Sequence, residues 1–276
     1  MRKAWLCGLA MVLGAVRWGE AQEAGPLPPS DQASKAALES SSRHGEFVDI
    51  EVPGLGRKIQ TWVVFPERPD KAPIVLVIHE IFGLTDWIRG VADQLAKDGF
   101  IALAPDLVSG LGPDGGNTAS MDRSEAIAKV RGLANDEVVA SLNAVRDYGL
   151  KLPAANGKSG SIGFCWGGGA SFHYATAQVA LNAAVVYYGT SPATEALAGV
   201  QASVLGLYGG NDARVNTTIG PAETEMKRLG KVYEYEIYEG AGHGFLRAQE
   251  APPANLEATR RAWPRTVAFL RQHAGG

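Results

Sequence analysis

The sequence predicts an α/β fold, namely a single domain in which a mostly parallel, twisted sheet carries helices on both faces. Two observations support this prediction. Short apolar runs rich in β-branched residues alternate with longer segments of helical periodicity, and such alternation favours an open parallel sheet. The chain has 276 residues, of which 46% are hydrophobic, so it is long enough to bury one large core.

The first elements are predicted at one edge and at the centre of this sheet. Glu46–Val52 and Lys58–Phe65 form an antiparallel hairpin at the edge, because the turn formers Pro53 and Gly54 lie between them. Ile74–Ile78 is apolar throughout. A continuous apolar run is typical of a parallel strand covered on both faces, so this strand is expected to be central.

Strand and helix alternate through the rest of the chain. A helical pattern over Asp86–Asp98 stops at Gly99, a residue type common at helix ends. A Gly-rich loop over residues 109–120 precedes a long helical pattern over Met121–Tyr148, which we expect to break near Gly132. Further strands are predicted at Phe100–Ala104, Ser159–Gly163, Ala183–Tyr188, Ser203–Tyr208 and Tyr233–Tyr238. Further helices follow Cys165 and cover Thr217–Leu229 and Leu256–His273.

The N-terminal residues have the pattern of a secretory signal peptide. Arg2 and Lys3 form a basic start, and an apolar stretch from Ala4 to Val16 follows. This stretch is shorter than the roughly 20 residues that a membrane-spanning helix needs. We therefore expect residues 1–21 to be removed, no stable membrane insertion afterwards, and an exported protein that is periplasmic or secreted. An uncleaved anchor is the alternative.

The remaining chain divides at about residue 46. Residues 22–45 contain three prolines and a run of three serines but few large apolar side chains. Such a composition is typical of a flexible segment, so we expect a flexible lead-in there. Residues 46–276 are predicted to form the folded domain.

Charge and cysteine content narrow the class of protein. The chain has 26 basic and 29 acidic residues and no basic run, so nucleic acid is not an expected partner, and we expect a monomer. Loss of the signal peptide would remove Cys7, which leaves Cys165 without a partner for an internal disulfide. A lone cysteine in an exported protein is either buried and inert or retained for its reactivity.

A cysteine stands at the centre of a Gly-x-Cys-x-Gly turn over Gly163–Gly167, between a predicted strand and a predicted helix. A side chain at such a turn is directed outward over the end of the sheet, and the small neighbours let the backbone cross itself closely. The positive end of the following helix favours a thiolate. Cys165 is therefore a candidate nucleophile.

Two further candidates follow predicted strands. Asp212 lies in Gly-Gly-Asn-Asp, and His243 lies in Gly-Ala-Gly-His-Gly-Phe. Ligands of open α/β sheets bind at the carboxyl ends of strands, so both are expected near Cys165. The imidazole can move the thiol proton, and the carboxylate can hold the required tautomer. Taken singly, the alternatives are a buried cysteine, an Asx turn and a loop histidine.

The loop after Ile74–Ile78 reads His-Glu-Ile-Phe-Gly. The backbone N–H groups of Ile81 and Trp166 are placed to form an oxyanion hole, one from this loop and one from the residue after the nucleophile. Glu80 is an ionisable group at the same end of the sheet, and a solvated loop carboxylate is its alternative role. His79 is expected to be a packing or loop histidine.

The four motifs together resemble the dienelactone hydrolase (carboxymethylenebutenolidase) family of α/β-hydrolases, over roughly residues 46–274. The resemblance implies a single α/β-hydrolase domain with a triad of Cys165, Asp212 and His243. It also implies that Glu80 interacts with the cysteine and takes part in thiolate formation when substrate arrives. A small-molecule ester or lactone is the implied partner, and no metal or organic cofactor is required.

Substrate recognition follows the family pattern only in part. Family members that act on dienelactone hold its carboxylate with two arginines, and one of these matches Arg247. The other belongs in the loop Asp106–Gly110, which contains no arginine; Arg123 or Arg131 could substitute. Pocket-lining aromatic residues are predicted as well, with Trp166 beside the nucleophile as the best candidate. The others are Trp87 and Tyr188, whereas Tyr187 is expected in the core.

We expect a hydrolase that cleaves a lactone or carboxylic ester through a thioester on the cysteine. A broad carboxylesterase or a thioesterase on the same triad is one alternative. A protein of the same fold that binds a small ligand without catalysis is the other.

Overall fold

An eight-stranded sheet forms the centre of the molecule. The computed structural model describes residues 26–275, so the predicted signal peptide at residues 1–21 lies outside the described part. The strands are β1 Gly45–Glu51, β2 Lys58–Val64, β3 Ala72–Ile78, β4 Ile101–Pro105, β5 Ala155–Phe164, β6 Ala183–Tyr187, β7 Ser203–Gly209 and β8 Tyr233–Tyr238. Their order is β1-β2-β4-β3-β5-β6-β7-β8. β2 pairs antiparallel with β1 and β4, and the other neighbours are parallel.

Helices connect the strands and cover the sheet. They are α1 Ser34–Glu39, α2 Asp86–Lys97, α3 Arg123–Gly132, α4 Asn135–Lys151, α5 Trp166–Ala177, α6 Ala213–Asn216, α7 Ile219–Arg228 and α8 Pro253–Ala274. The predicted break near Gly132 is present, since α3 ends there and α4 begins at Asn135. Between residues 26 and 275, every helix is too short or too polar to cross a membrane.

The central strand β3 shows why the fold has two cores. All of its residues are buried, and side chains alternate between the two faces of a strand. Val75 and Val77 belong to the apolar cluster that includes residues of α2 and α8. Ile74 and Leu76 belong to the cluster that includes residues of α4, α5 and α7. The predicted mostly parallel sheet with helices on both faces is therefore confirmed.

The residues before β1 pack against the domain. The Trp87 indole N–H donates to the carbonyl of Pro29 at 3.0 Å, and the Gln249 side-chain amide donates to the carbonyl of Pro28 at 3.0 Å. We call residues 28–31 the N-terminal strap. A flexible lead-in was predicted for residues 22–45; within its described part the structure instead shows the bound carbonyls of Pro28 and Pro29 and the helix α1.

We expect Trp87→Phe to loosen the N-terminal strap. The substitution leaves the Pro29 carbonyl without its donor, which costs about 1–3 kcal/mol of unfolding free energy. Urea denaturation measures this loss, and limited proteolysis within residues 26–45 measures the local opening. Trp62→Phe is the matched control, because the Trp62 indole N–H has no acceptor among the described residues. Equal protease resistance of residues 26–45 in the parent and both variants would contradict the expectation.

Candidate active site

Cys165 lies at the turn between β5 and α5. Its backbone has a positive φ of 56° and a ψ of −116°, a conformation that costs a non-glycine residue about 1–3 kcal/mol. The Cys165 N–H donates to the Tyr187 carbonyl at 3.1 Å, so a bond to β6 helps to hold the turn. Cys165 lines a cavity at the carboxyl ends of the parallel strands, as the turn pattern predicts.

The glycines of the turn are required by close backbone contacts. A Cβ atom on Gly163 would lie 1.8 Å from the Gly167 carbonyl oxygen, and one on Gly167 would lie 2.3 Å from the His79 carbonyl oxygen. Neither distance is compatible with a side chain. The chain can therefore cross at this point only with glycine at both positions, which also brings α5 against the loop after β3.

Asp212 and His243 meet from two neighbouring strand ends. Asp212 follows β7 and His243 follows β8, and the Asp212 Oδ2 atom lies 2.5 Å from the His243 Nδ1 atom. Asp212 is buried, whereas His243 reaches the cavity beside Cys165. This bond leaves His243 Nε2 as the ring nitrogen that is free to exchange a proton in the cavity.

The loop after β3 is held by His79. The His79 Nδ1–H donates to the Glu80 carbonyl at 2.7 Å, and Nε2 accepts the Leu107 N–H at 3.3 Å. The buried imidazole stacks on the Trp166 ring at a centroid distance of 5.6 Å. Burial lowers the pKa of His79. His79 is thus a neutral packing histidine that joins this loop to the start of α5.

Two backbone amides are available at the cavity. Ile81 lines the cavity, and its N–H donates to no acceptor within residues 26–275. The Trp166 N–H belongs to the first turn of α5, where a helix leaves its amides without intrahelical acceptors. This amide interacts with the Cys165 sulfur and favours its thiolate form. Ile81 and Trp166 thus line the same cavity as Cys165, and their role as an oxyanion hole stays a prediction.

Glu80 is a buried carboxylate next to an arginine. Its side chain is 4% exposed, and its Oε2 atom lies 2.9 Å from the Arg247 Nε atom. The contact is an ion pair without the angle of a hydrogen bond. Burial raises the pKa of Glu80 to about 7, and the positive charge of Arg247 opposes that increase. Glu80 can therefore gain or lose a proton near neutral pH.

The resting form of Cys165 is the thiol. Burial raises the pKa of the sulfur, and the negative charge of Glu80 raises it further. The Trp166 amide and the positive charge of Arg214 act in the opposite direction. No hydrogen bond joins the sulfur to His243 or Glu80 in the described part of the chain. A separate event must therefore produce the thiolate.

The cavity has a volume of about 760 Å³ and a positively charged lining. Arg131, Arg214 and Arg247 reach it from three different elements. Arg247 is ion-paired, whereas Arg131 and Arg214 make no ion pair among residues 26–275. Arg131 is one of the arginines predicted as a substitute in the carboxylate clamp, whereas Arg214 was not predicted. Its place directly after a predicted strand end, close to Asp212, is the signal that could have found it.

Two residues predicted to bind substrate do not line the cavity. Trp87 is fully buried on α2 with its N–H bound to the N-terminal strap, so it is a core residue. Tyr188 is also fully buried, and its ring packs edge-on against His243 at 5.1 Å between centroids. Both predictions are therefore wrong as to position. Trp166 does line the cavity. The Arg123 guanidinium carbon lies 3.8 Å from the centroid of the Phe82 ring.

Histidine, cysteine and carboxylate side chains do not gather into a metal site in the part of the chain described here. No group of three or more of them within residues 26–275 has the arrangement needed to hold a metal ion. The Asp212 carboxylate and the His243 imidazole instead bind each other.

Comparison with known proteins gives a consistent match. The family model described as "Dienelactone hydrolase family" matches residues 59–274. A "Putative carboxymethylenebutenolidase" of Saccharolobus solfataricus is 30% identical over 79% of this chain and 95% of that protein. A protein of the same description from Methylorubrum extorquens is 30% identical over 82% of this chain and 80% of that protein.

A solved structure supports the same assignment. The crystal structure of a "Putative Dienelactone Hydrolase" from Klebsiella pneumoniae superposes with a TM-score of 0.69 at 26% sequence identity. The alignment covers 83% of this chain and 100% of that protein. The similarity therefore extends over most of the chain rather than over a single motif.

We expect iodoacetamide to label Cys165 slowly at pH 8, because the thiolate is the reactive form and the site favours the thiol. Glu80→Gln removes a negative charge beside the sulfur, so labelling accelerates about threefold to tenfold, equivalent to a half to one unit of thiol pKa. Peptide mass spectrometry measures the rate at this cysteine. Glu39→Gln, exposed on α1, is the control. Labelling of the parent as rapid as that of a free low-pKa thiol would contradict the expectation.

Proposed function

The chain belongs to the dienelactone hydrolase family and is a lactone or ester hydrolase; on this premise we propose that it acts through a thioester on Cys165. The observation that carries the proposal is the bond between Asp212 and His243 beside a cysteine held at a strained strand-to-helix turn. Each of these residues follows a different parallel strand, so the sheet holds them in fixed relative positions.

The first step is attack on the substrate carbonyl. The Cys165 proton passes to Glu80, and the sulfur forms a bond to the carbonyl carbon while the carbonyl π electrons move to oxygen. The oxyanion accepts hydrogen bonds from the Ile81 and Trp166 amides. His243 enters this step as the imidazolium, with a proton on Nε2 that the second step uses, and Asp212 stabilises this form through Nδ1.

The second step releases the alcohol and leaves the acyl group on sulfur. The oxyanion collapses, the bond between carbon and the leaving oxygen breaks, and His243 donates its proton to that oxygen. His243 then removes a proton from water, whose oxygen attacks the thioester. Collapse of the second oxyanion breaks the bond between carbon and sulfur and releases the carboxylic acid. The thiolate regains its proton from Glu80, and His243 keeps the proton from water for the next turnover. In a lactone the alcohol and the acid remain in one product.

Glu80 has a role in producing the thiolate. Its pKa of about 7 lets the carboxylate accept the Cys165 proton near neutral pH. A thiol that ionises only in the presence of substrate is protected from oxidation, since oxidation proceeds through the thiolate. This protection is useful to an exported enzyme, and the basic start and apolar stretch within residues 1–21 support export.

The chemistry is better defined than the substrate. The loop Asp106–Gly110 offers no second arginine beside Arg247, so an ester or lactone is supported more strongly than dienelactone itself. A broad carboxylesterase or thioesterase would use the same triad. Relative rates on dienelactone, p-nitrophenyl esters and acyl thioesters distinguish these activities. The monomeric state stays a prediction.

We expect His243→Asn to reduce kcat/KM for p-nitrophenyl acetate about a thousandfold or more, because no other group can transfer the proton at Nε2. His173→Asn is the matched control, since His173 lines the same cavity on α5 outside the proposed triad. Its kcat/KM should stay within about threefold of the parent. Similar losses in both variants would argue against the role of His243.

We expect an acetyl adduct on Cys165 when the enzyme is quenched in acid during turnover of p-nitrophenyl acetate. Intact-protein and peptide mass spectrometry detect the added mass and its position. Cys165→Ala should lack both the adduct and the hydrolysis. Ser191→Ala is the control for another nucleophile in the cavity and should keep both. A parent without an adduct and without hydrolysis of any tested ester would favour a non-catalytic binding protein.

A further inference from the structure

The N-terminal strap contacts the loop that carries the proposed catalytic histidine. The Asp31 N–H donates to the Arg247 carbonyl at 3.0 Å. The Asp31 Oδ2 atom lies 3.3 Å from the Arg247 Nη1 atom. Pro28 is held by Gln249 on the same loop. Backbone and side-chain contacts thus place this strap directly beside Arg247.

Arg247 contacts two carboxylates, one exposed and one buried. Its Nη1 atom faces Asp31, whose side chain is 53% exposed. Its Nε atom faces Glu80, whose side chain is 4% exposed. The Arg247 backbone is fixed independently, because its N–H donates to the Gly244 carbonyl at 3.0 Å. One guanidinium therefore divides its charge between a strap residue and a buried carboxylate of the site.

We propose that Asp31 is a positioning residue for the hydrolysis. It binds part of the Arg247 guanidinium and thereby keeps that charge from fully stabilising ionised Glu80, so that Glu80 retains its ability to accept the Cys165 proton. The inference rests on the proposed function in one respect, namely that Glu80 takes this proton. The contact between Asp31 and Arg247 and its effect on Glu80 do not depend on it.

The charges around Glu80 determine the expected direction. Arg247 and Arg123 favour its ionised form, and the negative charge of Asp31 opposes it. Cys165 and Tyr188 also interact with Glu80 and are neutral in the resting site. Loss of the Asp31 charge removes one opposing charge and releases Nη1 of Arg247. Both effects lower the pKa of Glu80.

The test is a carbon-13 NMR titration of the Glu80 carboxyl group in the full chain. The Glu80 signal is assigned as the one that is lost in Glu80→Gln. The expected midpoint of the parent is about 7. Asp31→Asn keeps the backbone bond to Arg247 but removes the charge, and its midpoint should fall by about half a unit, the size that a partly exposed charge pair supports. Asp31→Glu should restore the parent value. Glu39→Gln removes a carboxylate from the neighbouring helix and should change nothing.

The pH dependence of kcat/KM for a neutral ester links the titration of Glu80 to the reaction. The acid limb of this profile is the part that matters here. It should move to lower pH in Asp31→Asn in the same direction as the carboxyl midpoint and return in Asp31→Glu. An unchanged or higher midpoint in Asp31→Asn overturns the proposal, and so does a lower midpoint without a shift of the acid limb. A parent that hydrolyses no ester counts against the proposed function, whereas the carboxyl titration still reports the effect of Asp31.

Discussion

The close passage of backbone at Gly163, Gly167 and His79 is the constraint on which the rest of the site depends. No side chain fits at either glycine, so β5, α5 and the loop after β3 come as near to each other as peptide groups allow. The crossing forces Cys165 into its positive-φ conformation. It also places the Trp166 amide at the sulfur and the loop with Ile81 next to it. One geometric requirement thus brings together the turn that carries the thiol and the loop that carries Ile81.

Burial of Glu80 sets the electrostatics of the site. The carboxylate and the thiol lie near each other in a region with little water, where two negative charges are costly. Burial raises the pKa of both groups, and the negative charge of Glu80 raises the pKa of the thiol further. Arg247 offsets part of this cost. The resting site holds one negative charge more easily than two, which explains why a neutral thiol accompanies a carboxylate that titrates near pH 7.

The sequence was sufficient to predict the sheet and the placement of Glu80, Cys165, Asp212 and His243 at one edge of it, and the reason is topological. Parallel strands end at one edge, so residues just after β3, β5, β7 and β8 must be close in space. This rule places a residue at a strand end but does not set the direction of its side chain, and it does not apply to residues elsewhere. Trp87 faces the core and Tyr188 lies beneath His243, because those directions depend on packing between elements. The N-terminal strap was not predicted, because backbone carbonyls accept its hydrogen bonds. Amino-acid composition does not show which backbone carbonyls are bound.

The charges of the cavity bear on which substrates the site attracts. Arg247 shares its charge with Glu80 and Asp31, and both contacts must be weakened before it can bind a substrate carboxylate fully. Arg131 and Arg214 have no ion-pair partner within residues 26–275, although they line the same cavity. An acidic group on a substrate would therefore find less competition at these two side chains than at Arg247. The absence of an arginine in Asp106–Gly110 thus changes where the cavity attracts an anion, rather than making it indifferent to charge.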